Sequence, residues 1–341
     1  MSIEPYYMIC YTVSNKGKVI IMKVSLVMAV YNGEKYLKEQ LDSLRLQTHP
    51  LDEVLIIDDQ SKDDSYIYVR QYIDGYQLKN WKIIKNEKNL GYRANFKKGL
   101  ENVQGDIIFL CDQDDIWHLD KIETMVSYMK DRNVFSLASS FQLIDEDSKH
   151  FTVEQQKGKS NNNLLYQEVT ELMTKIPLEV MLQSNFSQGC TMALKKELVD
   201  EYLKYTQLNI PHDWELNMIA SIHDGCYFLN LPLINYRIHT QNTIGLTDVV
   251  DYNYLDKKKR RVNQRISFID GEIKNVQCAF NLNLNSNQRK MCERDYNYLN
   301  KRKTYIEKKK LFSLLKFYIT GNYREFGHFK TFIGDIIACV K

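Results

Sequence analysis

The chain has 341 residues, 44% hydrophobic, 12% aromatic and 26% charged, the composition of a folded protein of one large or two modest domains; it excludes disordered, collagenous and multi-span membrane classes. Its 46 Lys+Arg nearly balance 43 Asp+Glu, so bulk electrostatics gives no reason to expect nucleic acid as a partner. The charge is uneven, with 20 Lys+Arg against 9 Asp+Glu from residue 251 onward and 26 against 34 in residues 1–250, an acidic body with a basic tail.

Residues 1–22 read as an N-terminal extension rather than a signal peptide, because Glu4, Lys16 and Lys18 interrupt any apolar core. Val24 to Val30 (VSLVMAV) is apolar throughout, as a parallel strand covered on both faces must be, and it ends in a turn at Tyr31-Asn32-Gly33. Leu37, Leu41 and Leu44 then recur at helical spacing over residues 34–48. Val54 to Ile57 is a second strand running into Asp58-Asp59-Gln60-Ser61, followed by a helix through Tyr66, Val69 and Ile73. The beat repeats with strand 81–85, helix 91–103, strand 107–111 and helix 119–130. Such alternation predicts a layered α/β sheet with right-handed crossovers, in which ligands sit beyond the carboxyl ends of the strands. Tyr31-Asn32, Asp58-Asp59 and Asp112-Gln113-Asp114-Asp115 all fall there.

Past Ser139 the pattern becomes irregular, with a polar loop expected over residues 145–163. Gln188 to Leu194 reads as a strand, Pro211-His212-Asp213-Trp214 opens a helix, and Cys226 to Arg237 is again a strand. The rest is helical and basic, with clusters at 257–261, 301–303 and 308–310. Leu311, Phe312, Leu315, Phe329, Ile333 and their neighbours fit either amphipathic helices lying on anionic lipid or a helical subdomain packed on the body. Seven cysteines without CxxC or Cys/His ligand spacing suggest a reducing, cytoplasmic compartment and no zinc site. No run reaches the ~18 apolar residues that a membrane span needs.

Asp112-Gln113-Asp114 can present two carboxylates to a hard divalent cation such as Mg²⁺ or Mn²⁺, although an isolated triplet of this kind is more often a capping turn. Gly91 suits a helix start, and Arg93 and Asn95 lie where they reach a diphosphate or ribose, unless Arg93 is simply a solvated cation. The set VSLVMAVYNGEKYLKEQL, EVLIIDDQSKDDS, NLGYRANFKKGL and GDIIFLCDQDDIW resembles the family 2 glycosyltransferases of GT-A fold, closely over residues 23–120 and loosely to about residue 245. Within them it is most similar to bacterial members that add rhamnose or related sugars to surface polysaccharides, which share a DQDD-W segment and a late Tyr-Arg-x-His.

The resemblance implies a Rossmann-like α/β sandwich over residues 23–245, with a nucleotide-sugar half to residue 120, an acceptor half from 121, and a helical C-terminal extension from 246. It implies that Ala29, Val30 and Tyr31 hold base and ribose, with Asp59 accepting from the base imide and Asp58 beside it. Asp112 would contact ribose or an outer metal position, Asp114 the metal, and His239 would be a further ligand unless it is an ordinary packed histidine. Asp213, in the counterpart of the family's Glu-Asp or His-Asp motif, is the expected base of an inverting transfer, against the alternative of a helix cap. Gly189, Cys190, His212 and Arg237 are expected on the acceptor or sugar side, with Trp117 and Trp214 either stacked on a sugar ring or in the core. The implied partners are a dTDP- or UDP-sugar donor and a glycan or lipid-linked oligosaccharide acceptor, with peripheral contact at the inner face of the membrane. AVYNGEKY after the first strand lacks the glycine-rich loop of a nucleotidyltransferase, dehydrogenase or P-loop kinase, which leaves an inert nucleotide-sugar or glycan-binding module as the rival. One departure is DDQS, where the family more often has DDGS.

Overall fold

The computed structural model describes residues 12–13, 19–20, 22–131, 133–152, 169, 171–239, 262–323 and 329–340. Most of the N-terminal extension, the far part of the polar loop expected at 145–163, the boundary at 245/246 and the 257–261 cluster lie outside the described residues. Near the N-terminus, β1 (Thr12–Val13) and β2 (Val19–Ile20) pair with each other.

The first half follows the expected alternation. In chain order it runs β3 (Val24–Val30), α1 (Glu34–Arg45), β4 (Glu53–Asp58), α2 (Ser65–Gly75), β5 (Trp81–Lys85), α3 (Tyr92–Leu100) and β6 (Ile107–Cys111). All four strands are parallel, in the spatial order β6-β3-β4-β5. Side chains alternate across β3, so Val24, Leu26, Met28 and Val30 join the core on one face of the sheet while Val27 joins the core on the other. Gly99 lets α3 lie close on that second face, since a Cβ there would stand 2.2 Å from Val27 Cγ1.

The second half changes direction. It comprises β7 (Ile116–Trp117), α4 (Lys121–Met129), β8 (Ser136–Ile144), β9 (His150–Phe151), β10 (Met173–Lys175), α5 (Leu178–Gln183), β11 (Met192–Lys195), α6 (Lys196–Tyr205), α7 (His212–Ile222) and β12 (Cys226–Arg237). The sheet extends from β6 as β11-β8-β12-β10, with β11 antiparallel to both its neighbours, so it is mixed rather than wholly parallel. The strand expected over 188–194 starts later, because Gly189–Thr191 forms a turn of 3-10 helix in which Thr191 donates twice to the Gln188 carbonyl.

The basic tail forms α8 (Val262–Phe280), α9 (Ser286–Glu307), α10 (Leu311–Ile319) and α11 (Phe329–Val340). Asn285 and Gln288 cap α9 reciprocally, and Gln288 Nε2 donates to the Ile222 carbonyl at the end of α7. Ile269, Val276, Ala279 and Leu299 share one buried cluster with Leu216 and Met218, so these helices pack on the α/β body. Asp335, fully buried, accepts from Arg265, Arg302 and Tyr323 and ties α8, α9 and α11 together. Removing a carboxylate that neutralises buried guanidinium groups leaves charge uncompensated, so Asp335→Ala is expected to cost about 3–5 kcal/mol in urea unfolding. A loss below about 1 kcal/mol would show that this node does not hold the helices.

Candidate active site

Three loops at the carboxyl ends of β3, β4 and β6 meet, and side chains from one hold the backbone of another. Tyr31 is 41% exposed, and its peptide is clasped by Gln113, which accepts from Tyr31 N at 2.7 Å and donates to Tyr31 O at 3.0 Å. Gly33 is required beneath that clasp, since a Cβ would meet Gln113 Oε1 at 2.3 Å. Asp59 is 3% exposed and accepts from Asn86 Nδ2, Leu90 N and Gly91 N, which shapes the loop before α3; Gly91 completes it at a φ of 78° that other residues rarely adopt. Buried Asp58 accepts from Ser61 N, and its Oδ2 has no hydrogen-bond partner among the described residues. Gln60 adopts φ 63° despite its side chain, which bridges to Glu87 O and Asn89 N. In DDQS, then, side-chain hydrogen bonds hold the turn that a glycine reaches freely.

After β6 the carboxylates crowd. Asp112 is pushed up to about 7, first by burial and then by the neighbouring Asp114 carboxylate. Asp115 lies well above the ordinary carboxylate range for the same reasons, although Arg237 N donates to its Oδ1 at 3.0 Å. Potential ligand atoms of Asp112, Asp115 and Cys190 lie within 4.8 Å of one another. Beneath them, fully buried Lys121 donates to Cys190 O at 2.7 Å and sits 3.6 Å from the Trp117 ring centroid; burial lowers it to about 8. Asp114 Oδ2 pairs with His239 Nε2 at 2.9 Å, and the His239 ring lies 5.0 Å from that of Tyr36.

Asp213 stands in the first turn of α7, whose N-terminal field favours an anion. Burial nevertheless pushes it up to about 6, against Trp214 N on Oδ1 and Asn185 Nδ2 on Oδ2, each at 2.9 Å. Asp213 is also among the charges that raise Asp112, so the two carboxylates face one site. His212 stacks on Phe96 at 4.1 Å, is held neutral by burial, which lowers it to about 3, and has no partner on either ring nitrogen among the described residues.

The Glycosyl transferase family 2 model matches residues 25–203, more than half of the chain. The chain belongs to glycosyltransferase family 2. It is 35% identical over 245 residues to an uncharacterized glycosyltransferase of Methanocaldococcus jannaschii, covering 70% of this chain and 75% of that one. Across such relatives the matched share of the relative runs from 24% to 75%. Among solved structures it is similar to S. aureus TarS in complex with UDP-GlcNAc, at TM-score 0.54, 15% identity and coverage of 94% of this chain and 82% of that one. It is likewise similar to the Pyrobaculum calidifontis mannosyltransferase PcManGT in complex with GDP-Man and Mn²⁺, at TM-score 0.53, 15% identity and coverage of 94% and 86%. The fold is the GT-A fold of these glycosyltransferases.

Within this family 2 chain, the fold gathers Ala29, Val30, Tyr31, Asp58, Asp59, Asp112, Asp114, Gly189, His212, Asp213 and His239 at one end of the sheet. Several expectations need correction. Trp117 cannot stack on a sugar, because pairing of β7 with β12 buries it to 2% exposure against Phe109 and Lys121. Arg237 is fully buried and faces protein, donating to Asp114 O, Asp145 O, Ser148 Oγ and Glu39 Oε2. Cys190 is buried beneath the carboxylates rather than open to an acceptor, and Gly189 serves His212, whose Nε2 a Cβ would approach to 2.9 Å. Trp214 is half-buried, with Nε1 donating to Met181 O. Arg93 is engaged by the Leu208 and Asn209 carbonyls and pins the loop before α7. Gln113, Lys121 and Asn185 also shape the site; Gln113 stands inside the acidic motif, while nothing in the local sequence announces the other two.

A group whose folded pKa is raised favours the fold in its neutral form, so that stability is complete below the unfolded value and is lost as pH rises through the folded one. Asp213 is raised from 3.8 to about 6, so its ionised form weakens the fold at neutral pH. Asp213→Asn is therefore expected to gain about 1–2 kcal/mol at pH 8 and nothing at pH 4, a gain discounted because the residue is partly open to solvent. Thermal melts at the two pH values check this, and an equal shift at both would refute it.

Proposed function

We propose that the chain is an inverting, metal-dependent glycosyltransferase acting on a dTDP- or UDP-sugar, rhamnose first, and on a bacterial polysaccharide or lipid-linked oligosaccharide. The observation that carries the reading is Asp213. It is a carboxylate held by Asn185 and its own helix, ionised at neutral pH yet raised to about 6, and electrostatically coupled to Asp112 across the site. Family membership supports sugar transfer. Rhamnose rests on the DQDD-W and Tyr-Arg-x-His resemblance.

The donor set suits a hard cation: Asp112 and Asp114 offer oxygen, His239 an imidazole nitrogen, and a cation relieves the repulsion that raises Asp112. A cation bound there supplies neutralisation of the leaving diphosphate. The buried Cys190 thiol, pushed well up by burial, is a poor ligand for Mg²⁺ or Mn²⁺, so of the Asp112, Asp115 and Cys190 cluster it is Asp112 that joins this set. The Tyr31 turn receives base and ribose, with Asp58 and Asp59 at its floor. Asp213 takes the acceptor hydroxyl proton as the acceptor oxygen bonds to the anomeric carbon. The bond from that carbon to the diphosphate breaks on the opposite face, and nucleoside diphosphate leaves. A raised carboxylate accepts the proton better than a free one, and its fixed position contributes much of the rest.

Nucleoside diphosphate release by the purified protein, across UDP- and dTDP-sugars with Mg²⁺ or Mn²⁺ and a membrane extract as acceptor source, tests this reading. Asp213→Asn is expected to retain donor binding while release falls by about 10²-fold or more. Near wild-type transfer by that variant would remove Asp213 as base. Asp114→Ala is expected to abolish the metal-dependent part of donor binding, and affinity indifferent to both metal and mutation would end the metal role. Nucleotide binding with no release from any donor would favour the inert binding module.

A further inference from the structure

The last two helices are apolar on two opposite faces. In α10 the inner face, Leu314 and Phe317, is buried, whereas Leu311, Leu315 and Ile319, spaced four apart, stand on the outer face with Phe312 beside them. Phe312 is 88% exposed and Ile319 74%. In α11 the inner face carries Phe332, Asp335, Ala338 and Cys339, and the outer face Phe329, Ile333, Ile337 and Val340. Tyr318 stacks on Phe332 at 4.2 Å, which fixes the two helices side by side.

An exposed apolar stripe of this kind is not ordinary surface. Lys308, Lys309 and Lys310 are exposed at the start of α10, and Lys316 and Lys330 flank the two stripes. The one carboxylate that α10 and α11 carry, Asp335, points inward onto Arg265 and Arg302. Apolar side chains rimmed by lysine, with no outward carboxylate on the described residues of α10 and α11, match the interface of an anionic bilayer, where the rings and branched chains enter the acyl boundary and the ammonium groups meet phosphate. The helices have 9 and 12 residues, too short to span, and no helix of the described residues is long and apolar enough to cross a membrane. A second copy of the chain fits poorly, because two-fold pairing would set lysine against lysine, and lysine is depleted from protein interfaces.

We propose that the outer face of α10 and α11 is a docking surface for anionic phospholipid, holding the protein flat on a membrane. This stands independently of the transferase reading, and its test needs no sugar donor.

Flotation of the full chain with vesicles of phosphatidylcholine alone or mixed with phosphatidylglycerol tests it. Binding is expected with the anionic vesicles only and should weaken with salt. The doubly substituted Phe312→Ser, Ile319→Ser chain, which changes two exposed side chains, should keep its melting temperature and bind anionic vesicles at least tenfold more weakly. Lys308→Gln, Lys309→Gln and Lys310→Gln together should do the same and lose the salt dependence. Failure of the wild-type chain to float with anionic vesicles would overturn the proposal, as would flotation that neither variant weakens. A concentration-dependent dimer that Phe312→Ser, Ile319→Ser dissociates, without vesicle binding, would assign the face to a second copy instead.

Discussion

Asp112, Asp114, Asp115 and Asp213 bring four carboxylates to one end of the sheet, where burial and neighbouring carboxylates raise Asp112 and Asp115, and burial raises Asp213. Much of the surrounding structure manages that charge. Lys121 approaches from below, at the cost of being a buried cation against Trp117. Arg237 approaches from the side, and donates its amide to Asp115 and its guanidinium to carbonyls of two loops. Neither group neutralises the cluster, and in the proposed reading the remaining demand for positive charge is what a divalent cation meets.

The same requirement explains why Arg237 and Trp117 are in the frame rather than at the opening. An arginine inside a protein needs acceptors for its five donors. Arg237 finds them in Asp114, Asp145, Glu146, Ser148 and Glu39, so it fastens α1, the acidic turn and the segment after β8 to the end of β12. Trp117 supplies the π face on which the Lys121 ammonium rests. Residues that chemistry alone would place against a ligand here brace the acidic turn and the helix that follows it.

The sheet's first half was legible because each strand is a short apolar run and each helix an amphipathic one, and the motifs fall at strand ends by topology. The second half was less so. Ser136, Ser139 and Ser140 are buried in β8, where their small polar side chains break the apolar run that marks a central strand. Helix α5 is short, at 6 residues, and gave too few turns for a periodic signal. In the site, residue type drew attention to Asp112, Asp114 and Asp213, which the fold brings to one end of the sheet. It misled at Trp117, Arg237 and Cys190, because an aromatic, a cation or a thiol near a motif looks the same in sequence whether it points to solvent or to the core. Lys121 and Asn185 were invisible for the converse reason: their importance comes from contacts 69 and 28 residues away along the chain.

Gln113 joins the Tyr31 turn to the acidic turn across 82 residues of chain. Closing a loop of that length loses entropy before any contact repays it, so the clasp forms only once β6 has docked beside β3. During synthesis the residues of the first βα unit therefore emerge well before the residue that joins its turn to the acidic one. In a nascent chain stalled before residue 113 the turn after β3 has the Ser61 and Ser65 hydroxyls to hold it, through Asn32 N and Gly33 N, but lacks the clasp that ties it to the acidic turn.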